Sequence, residues 1–222
     1  MFRRVLFAAA MAGLIAGVFA TTFQWLRVIP LILEAETYEK GASSHDGDSA
    51  AGEPEAWAPS DGVERTLFTL LTNVLTGVAF ALLLGAAFAL IGEVDWRRGV
   101  YWGVAGFATF MLAPSLGLPP EIPGSVAAPL QERQIWWLAT VAATGIGLAL
   151  MFRTKSAEWI ALGAALVAAP HLIGAPQPLE HGGLAPASLA REFAVAALVS
   201  GFLFWLILGA MSGFFFDRLK SR

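Results

Sequence analysis

Six apolar runs, separated by polar segments, set the organisation of the chain. A helix needs about 20 apolar residues to cross the hydrocarbon core of a bilayer, and the runs approach or exceed that length. Backbone in lipid has to satisfy its own hydrogen bonds, and none of the runs alternates like a membrane-barrel strand, so each is predicted to be helical. The predicted spans are Val5–Pro30, Leu67–Ile91, Gly99–Leu118, Ile135–Phe152, Trp159–Ile173 and Phe193–Phe216.

Composition agrees with this all-α, polytopic membrane fold. Hydrophobic residues make up 57% of the 222 residues and charged residues only 14%, which is too apolar for one soluble core. The whole chain, 1–222, is therefore interpreted as a single integral membrane domain. The sequence has no cysteine, which excludes disulfides and thiolate metal sites. It also has no P-loop, and no span pairs a nucleophile with a base, so no enzymatic activity is expected.

A seven-residue pattern (a hydroxyl residue, Gly, an apolar residue, any residue, Phe or Leu, any residue, Leu) occurs three times within apolar runs, and a proline lies near the end of each preceding run. The copies begin at Thr76, Thr144 and Ser200, and the prolines are Pro30, Pro114 and Pro170. The separation is 30 residues in the second and third units and 46 in the first, where the extra residues are hydrophilic. We interpret the chain as three repeated helical hairpins, at about 1–98, 99–156 and 157–222.

The first run begins like a secretory signal, with Arg3 and Arg4 before an Ala-rich stretch. Its apolar character continues to Leu33, which is too long for a typical signal, so we expect the run to be retained as a membrane anchor. Cleavage would leave five spans. The run also contains a GxxxG pair, Gly13 and Gly17, which predicts close packing against a neighbouring helix.

Basic residues are unevenly divided between the two predicted faces of the membrane. The side of the chain termini carries Arg3, Arg4, Arg97, Arg98, Arg153, Lys155, Arg218, Lys220 and Arg222, and the other side Lys40, Arg65, Arg133 and Arg191. Because cytoplasmic loops carry the excess of Lys and Arg, both termini are predicted to be cytoplasmic. The acidic segment 40–64 is predicted to be a flexible extracytoplasmic loop. Its charge would either concentrate cations or only keep the loop solvated.

The three prolines suggest where a site would form. A proline inside a helix removes one hydrogen bond and favours a kink or a helix end. If the hairpins surround a pseudo-threefold axis, the positions that follow the prolines, Leu31, Ser115 and His171, lie at similar depth and can build one site. The alternative is that the prolines only terminate spans at the membrane interface.

Histidines and carboxylates on the extracytoplasmic side are the candidate metal ligands. His171 borders a span, where an ionisable residue is a functional hypothesis by default, and His181 follows in the same loop. Imidazole together with carboxylate suits divalent first-row metals. Glu34 and Glu36 follow Pro30 and either face the same vestibule or mark the water boundary. No HxxxH or HExxH spacing is present, so ordinary hydrogen bonding is the alternative for each histidine.

Three segments, Phe2–Ala10, Val28–Glu39 and Pro170–Pro176, resemble the CbtA family of probable cobalt transporter subunits, and the similarity covers essentially the whole chain. The resemblance implies a bacterial inner-membrane protein of cobalt acquisition for cobalamin synthesis, acting beside a small single-span, histidine-containing partner, CbtB. Family members are described with five spans, whereas the pattern here gives six. The difference concerns the first or the short fifth run.

Two functions follow from these observations. The leading hypothesis is a divalent-metal permease or permease subunit for cobalt uptake, with His171, Glu34 and Glu36 as ligands and His181 as a peripheral ligand. Co²⁺ is then the transported ion, and neither a resident cofactor nor a nucleic-acid partner is expected. The alternative is a non-transporting accessory or scaffold subunit whose small-residue helix faces dock onto a larger membrane complex.

Overall fold

The computed structural model describes residues 2–43, 59–92, 94–178 and 182–219, and almost all of this part is helical. The elements are α1 Phe2–Arg27, α2 Ile29–Ser43, α3 Val63–Ile91, α4 Trp96–Phe107, a π-helical segment Ala108–Leu112, α5 Ala113–Ser115, α6 Leu130–Arg153, α7 Ala157–Ile173 and α8 Ala187–Arg218. By length and apolar composition, α1, α3, α6 and α8 are each able to cross a membrane, and α7 is a shorter apolar helix. The predicted all-α, polytopic membrane fold is confirmed.

Helix α2 is where the chain departs most from the predicted boundaries. The chain leaves the helical path only at Val28, and the helix resumes at Ile29 and continues to Ser43, beyond the predicted loop start at residue 40. Pro30 is accommodated in the first turn of α2, where a missing N–H leaves no hydrogen bond unmade. Residues 44–58 of the predicted flexible loop lie outside the described residues.

The third predicted span is a continuous helical rod with one wide turn. The N–H of Ala113 bonds to the carbonyl of Ala108, five residues earlier, which is the hydrogen bond of a π-helix. The next residue is Pro114, which has no N–H and whose ring would clash with the carbonyl of Phe110, four residues before it, in a regular α-helix. The wider π turn accommodates the proline without ending the rod.

Helices α1, α3, α4 and α8 form the main body of the bundle through close backbone contacts. Gly13 of α1 lies against α3, so that a Cβ atom on Gly77 would be 2.8 Å from the Gly13 carbonyl oxygen. Gly99 of α4 meets the backbone of Gly209 in α8 in the same way. Gly17 of α1 lies equally close to Val74 of α3. The predicted packing role of the pair Gly13 and Gly17 is thus confirmed.

Aromatic side chains fill the centre of this body. Phe88 and Leu208 have no exposed surface, and the Trp205 indole stacks on the Phe110 ring with centroids 5.5 Å apart and planes 8° apart. A second buried cluster joins α2 to the start of α8 through Val28, Ala35, Ile122, Leu189 and Phe193. Neither cluster of buried hydrophobic residues includes a residue of α6 or α7.

Helices α6 and α7 therefore form a separate pair at the side of the body. Helix α7 packs against α6, and α6 reaches the body through the π-helical segment and α5. The predicted hairpin 157–222 would couple α7 with α8, whereas the main packing partner of α7 is α6. The division into three repeats stays a prediction.

The start of α1 and the end of α8 lie at the same end of the bundle. The Arg4 Nε donates a 2.9 Å hydrogen bond to the Phe216 carbonyl oxygen, and the guanidinium carbon lies 3.9 Å from the centre of the Phe216 ring. The opposite end consists of α2, the segment 116–129 and the described part of 174–186. Two segments of that end are tied together by an antiparallel bridge between Ser125 and Gly183. Three of the predicted metal ligands, Glu34, Glu36 and His171, also lie at this end.

Candidate functional site

His171 lies in the last turn of α7, against α6. Gly174 ends this helix with a φ of +91°, a left-handed conformation that glycine adopts at little cost, and its N–H bonds to the Pro170 carbonyl oxygen at 3.0 Å. The same carbonyl accepts the indole N–H of Trp136 at 3.3 Å. The Trp136 and His171 rings meet edge to face, with centroids 6.0 Å apart and planes 70° apart. Proline and indole together fix the position of the imidazole.

The imidazole Nε2 of His171 is buried and has no hydrogen-bond partner. Leaving a buried polar atom unsatisfied costs about 1–3 kcal/mol, and such an atom in a native fold calls for a specific explanation. Nε2 is the ring nitrogen with which histidine commonly binds metal ions. His171 is therefore a nitrogen donor that the protein itself leaves unused.

The two predicted carboxylate ligands lie on α2 and have different surroundings. Glu36 forms an ion pair with Arg65 of α3, with 2.9 Å between Oε1 and Nη1, and the other terminal nitrogen of Arg65 lies 3.0 Å from Asp61. Glu34 has an exposed side chain. The Arg65 guanidinium neutralises much of the Glu36 charge, so Glu34 is the freer of the two carboxylates.

The structure does not gather the predicted ligands into one cluster. Helix α2 packs on α1 and α8, whereas α7 packs on α6. Among residues 2–43, 59–92, 94–178 and 182–219, no three His, Asp or Glu side chains converge in a way that could hold a metal ion. His181 lies outside these ranges. In this conformation Glu34, Glu36 and His171 are separate positions at one end of the bundle, and the ligand set stays a prediction.

A cleft of about 650 Å³ opens between the α5 end of the third rod and the start of α6. Its walls are mostly apolar and include Met111, Pro114, Leu118, Leu130, Trp137 and Leu138. Its charged residues, Arg133 and Glu121, are paired with each other at 2.8 Å. No sequence pattern predicts this ion pair, because it joins a loop residue to a helix residue and depends on how the loop folds back.

A polar network links α1 and α3 within the otherwise apolar body. The Asn73 amide donates to Thr21 Oγ1 at 3.0 Å and to Gln24 Oε1 at 2.7 Å. Thr21 in turn donates to the Gly17 carbonyl oxygen at 2.8 Å. Asn73 lies inside an apolar run, and a polar residue in a span normally faces a partner helix. This was the sequence signal from which the network could have been predicted.

Comparison with protein families gives a match over residues 2–217 to the family described as probable cobalt transporter subunit (CbtA). Comparisons with curated proteins and with solved structures found no match. The family match takes in both the α6–α7 pair that holds His171 and the α2 helix that holds the carboxylates. The chain therefore belongs to the CbtA family of probable cobalt transporter subunits.

Proposed function

We propose that this protein is the membrane-embedded permease subunit of a cobalt uptake system that supplies cobalamin synthesis. The observation that carries the proposal is the buried, unpartnered Nε2 of His171 at one end of the bundle. In a family of probable cobalt transporter subunits, a histidine nitrogen without a protein partner is the natural first ligand for Co²⁺. The proposed activity is transport, not catalysis.

The residues at this end would act in sequence on the ion. The carboxylates of α2, above all the exposed Glu34, attract divalent cations to the surface. His171 Nε2 then replaces one water ligand of Co²⁺ after the last turn of α7 has moved enough to expose it. Because no three-ligand cluster occurs among the described residues, we propose that the other ligands come from a partner subunit.

The partner we propose is a small, single-span, CbtB-type protein that contributes histidine. The family description as a subunit supports the existence of a partner, and the position of α7 at the edge of the bundle supports docking beside His171. In this arrangement neither chain alone completes the Co²⁺ site.

We also propose a bacterial inner-membrane location with both termini in the cytoplasm. The contact between Arg4 and Phe216 brings the basic first turn of α1 and the last turn of α8 to one end. Arg97 and Arg153 also adjoin the turns at that end, so the excess of positive charge faces one side of the membrane. The carboxylates of α2 then face the periplasm.

Cobalt accumulation in cells that lack other cobalt uptake systems tests the proposal. The cells express the wild type, His171→Ala, an empty vector or, as a control, His45→Ala, which replaces a histidine of the segment 40–64 that is not a predicted ligand. Each is tested with and without the small partner. The wild type with the partner should accumulate cobalt, His171→Ala should fall to the level of the vector, and His45→Ala should retain uptake. Equal accumulation in all four strains, with correctly inserted protein, would reject the permease.

A non-transporting accessory subunit is the second candidate function. It is favoured by the lack of a three-ligand cluster among the described residues. Firm co-purification with a larger membrane complex, together with no thermal stabilisation by Co²⁺ in the wild type either alone or combined with the small partner, would establish this alternative.

A further inference from the structure

A cavity of about 350 Å³ lies between the junction of α1 with α2 and the first turns of α8. Its walls include Phe23, Arg27, Leu31, Arg191, Glu192 and Val195. Arg27 is the last residue of the α1 span and Leu31 lies in the first turn of α2, so the cavity is at the level where a span meets the lipid headgroups.

The two arginines of this cavity differ from other arginines at the same end in their ion pairing. Arg65 and Arg133 are paired with carboxylates at 2.9 Å and 2.8 Å. Within the part of the chain that the structure describes, Arg27 and Arg191 form no ion pair and no side-chain hydrogen bond. Glu192 supplies one negative charge to the cavity, which leaves an excess of positive charge.

The cavity combines these cations with an apolar wall. Phe23, Leu31 and Val195 offer a surface for hydrocarbon, and the two guanidinium groups offer donors that match the oxygens of a phosphate. A ligand that satisfies both features has an anionic phosphate and an acyl chain. A membrane supplies such a molecule at this depth.

We propose that this cavity binds an anionic phospholipid, with its phosphate between Arg27 and Arg191 and its acyl chain along Phe23 and Val195. The lipid would join α1, α2 and α8, and so hold α2 against the body of the bundle. This inference does not depend on the transport proposal.

Native mass spectrometry of the purified full chain in detergent tests the site. The protein is titrated with phosphatidylglycerol and with phosphatidylcholine of the same acyl chains. The wild type should bind phosphatidylglycerol more tightly, and each of Arg27→Gln and Arg191→Gln should lower that affinity about fivefold, the effect of one cation near an anionic headgroup. Arg27→Lys with Arg191→Lys, which keeps both charges, should retain most of the preference.

Arg133→Gln is the matched control, because Arg133 lines the other cavity at the same end and is already paired. It should leave phosphatidylglycerol binding unchanged. Three outcomes would overturn the proposal: unchanged phosphatidylglycerol affinity in both Arg27→Gln and Arg191→Gln, equal affinity of the wild type for both lipids, or displacement of phosphatidylglycerol by an equal concentration of inorganic phosphate. The last outcome would indicate a site for free anions.

Discussion

Gly147 of α6 and Gly163 of α7 lie backbone against backbone, so that a Cβ atom on either residue would be 2.6 Å from the carbonyl oxygen of the other. Real Cβ atoms do not come this close to an oxygen, and both positions therefore require the absence of a side chain. The contact holds α7 on its main packing partner, and α7 carries His171.

Replacing Gly163 by Val should therefore push α7 away from α6. The added side chain would meet backbone atoms that cannot move aside cheaply, and overpacking of this kind costs about 1–3 kcal/mol. The thermal unfolding midpoint of the protein in detergent should fall. Ala164→Val, at an exposed position on the same helix, is the control and should unfold like the wild type. Equal midpoints for both variants would show that the glycine contact does not hold the pair together.

Trp136→Phe tests the hydrogen bond from the Trp136 indole to the Pro170 carbonyl oxygen, next to His171. This variant keeps an aromatic ring beside His171 but removes the N–H that bonds to the Pro170 carbonyl, a loss of about 1 kcal/mol in the free energy of unfolding. Thermal unfolding measures the loss. The neighbouring Trp137→Phe is the control, and an equal decrease in both variants would mean that the Pro170 bond has no special role.

Arg65→Gln should increase the association of Co²⁺ with the surface of α2. In the wild type the Arg65 guanidinium pairs with Glu36 and Asp61, and its removal leaves both carboxylates free to attract a cation. Solvent still reaches both side chains of the Arg65–Glu36 pair, and such a pair contributes up to about 1 kcal/mol, so the apparent affinity should rise by up to about fivefold. Isothermal titration with Co²⁺ measures the change. Arg133→Gln is the control, and unchanged or weaker binding in Arg65→Gln would remove Glu36 from the candidate ligands.

The hydrophobic pattern was enough to predict an all-α, polytopic membrane fold, and four of the helices, α1, α3, α6 and α8, are long and apolar enough to cross a membrane. The predicted span Trp159–Ile173 and the observed α7, Ala157–Ile173, end at the same residue, because the apolar run stops at Gly174, which ends the helix. The extension of α2 to Ser43 was missed, because its mixed charged and apolar residues give no hydropathy signal for a helix in water. Pro114 signalled an irregular turn, but the sequence could not specify that the turn would be π-helical.

The candidate site was less predictable than the helices, because it depends on how the helices pack side by side. The depth of His171 follows from its place at the end of an apolar run, whereas its neighbours depend on α7 packing against α6. The pairing of Glu36 with Arg65 likewise depends on how α2 lies beside α3. Residues far apart in sequence make these contacts, and a local pattern of polar and apolar positions does not encode them.

The orientation in the membrane can be tested on either side of α6. Since the chain contains no cysteine, Ala127→Cys and Ser156→Cys each introduce a single thiol, one before and one after this span. In intact cells an impermeant maleimide should label Ala127→Cys, and Ser156→Cys should be labelled only after permeabilisation, because its loop is cytoplasmic in the proposed orientation. The reverse pattern would place the α2 carboxylates in the cytoplasm and contradict cation capture from outside.

Cobalt flux into sealed vesicles tests the role of His171 most directly. The protein is reconstituted with the proposed small partner in vesicles that contain a metal-quenched dye, and Co²⁺ is added outside. Quenching is expected with the wild type and with Trp137→Phe, and none above that of protein-free vesicles is expected with His171→Ala. Quenching by His171→Ala at the rate of the wild type, with equal amounts of inserted protein, would contradict a cobalt pathway through His171.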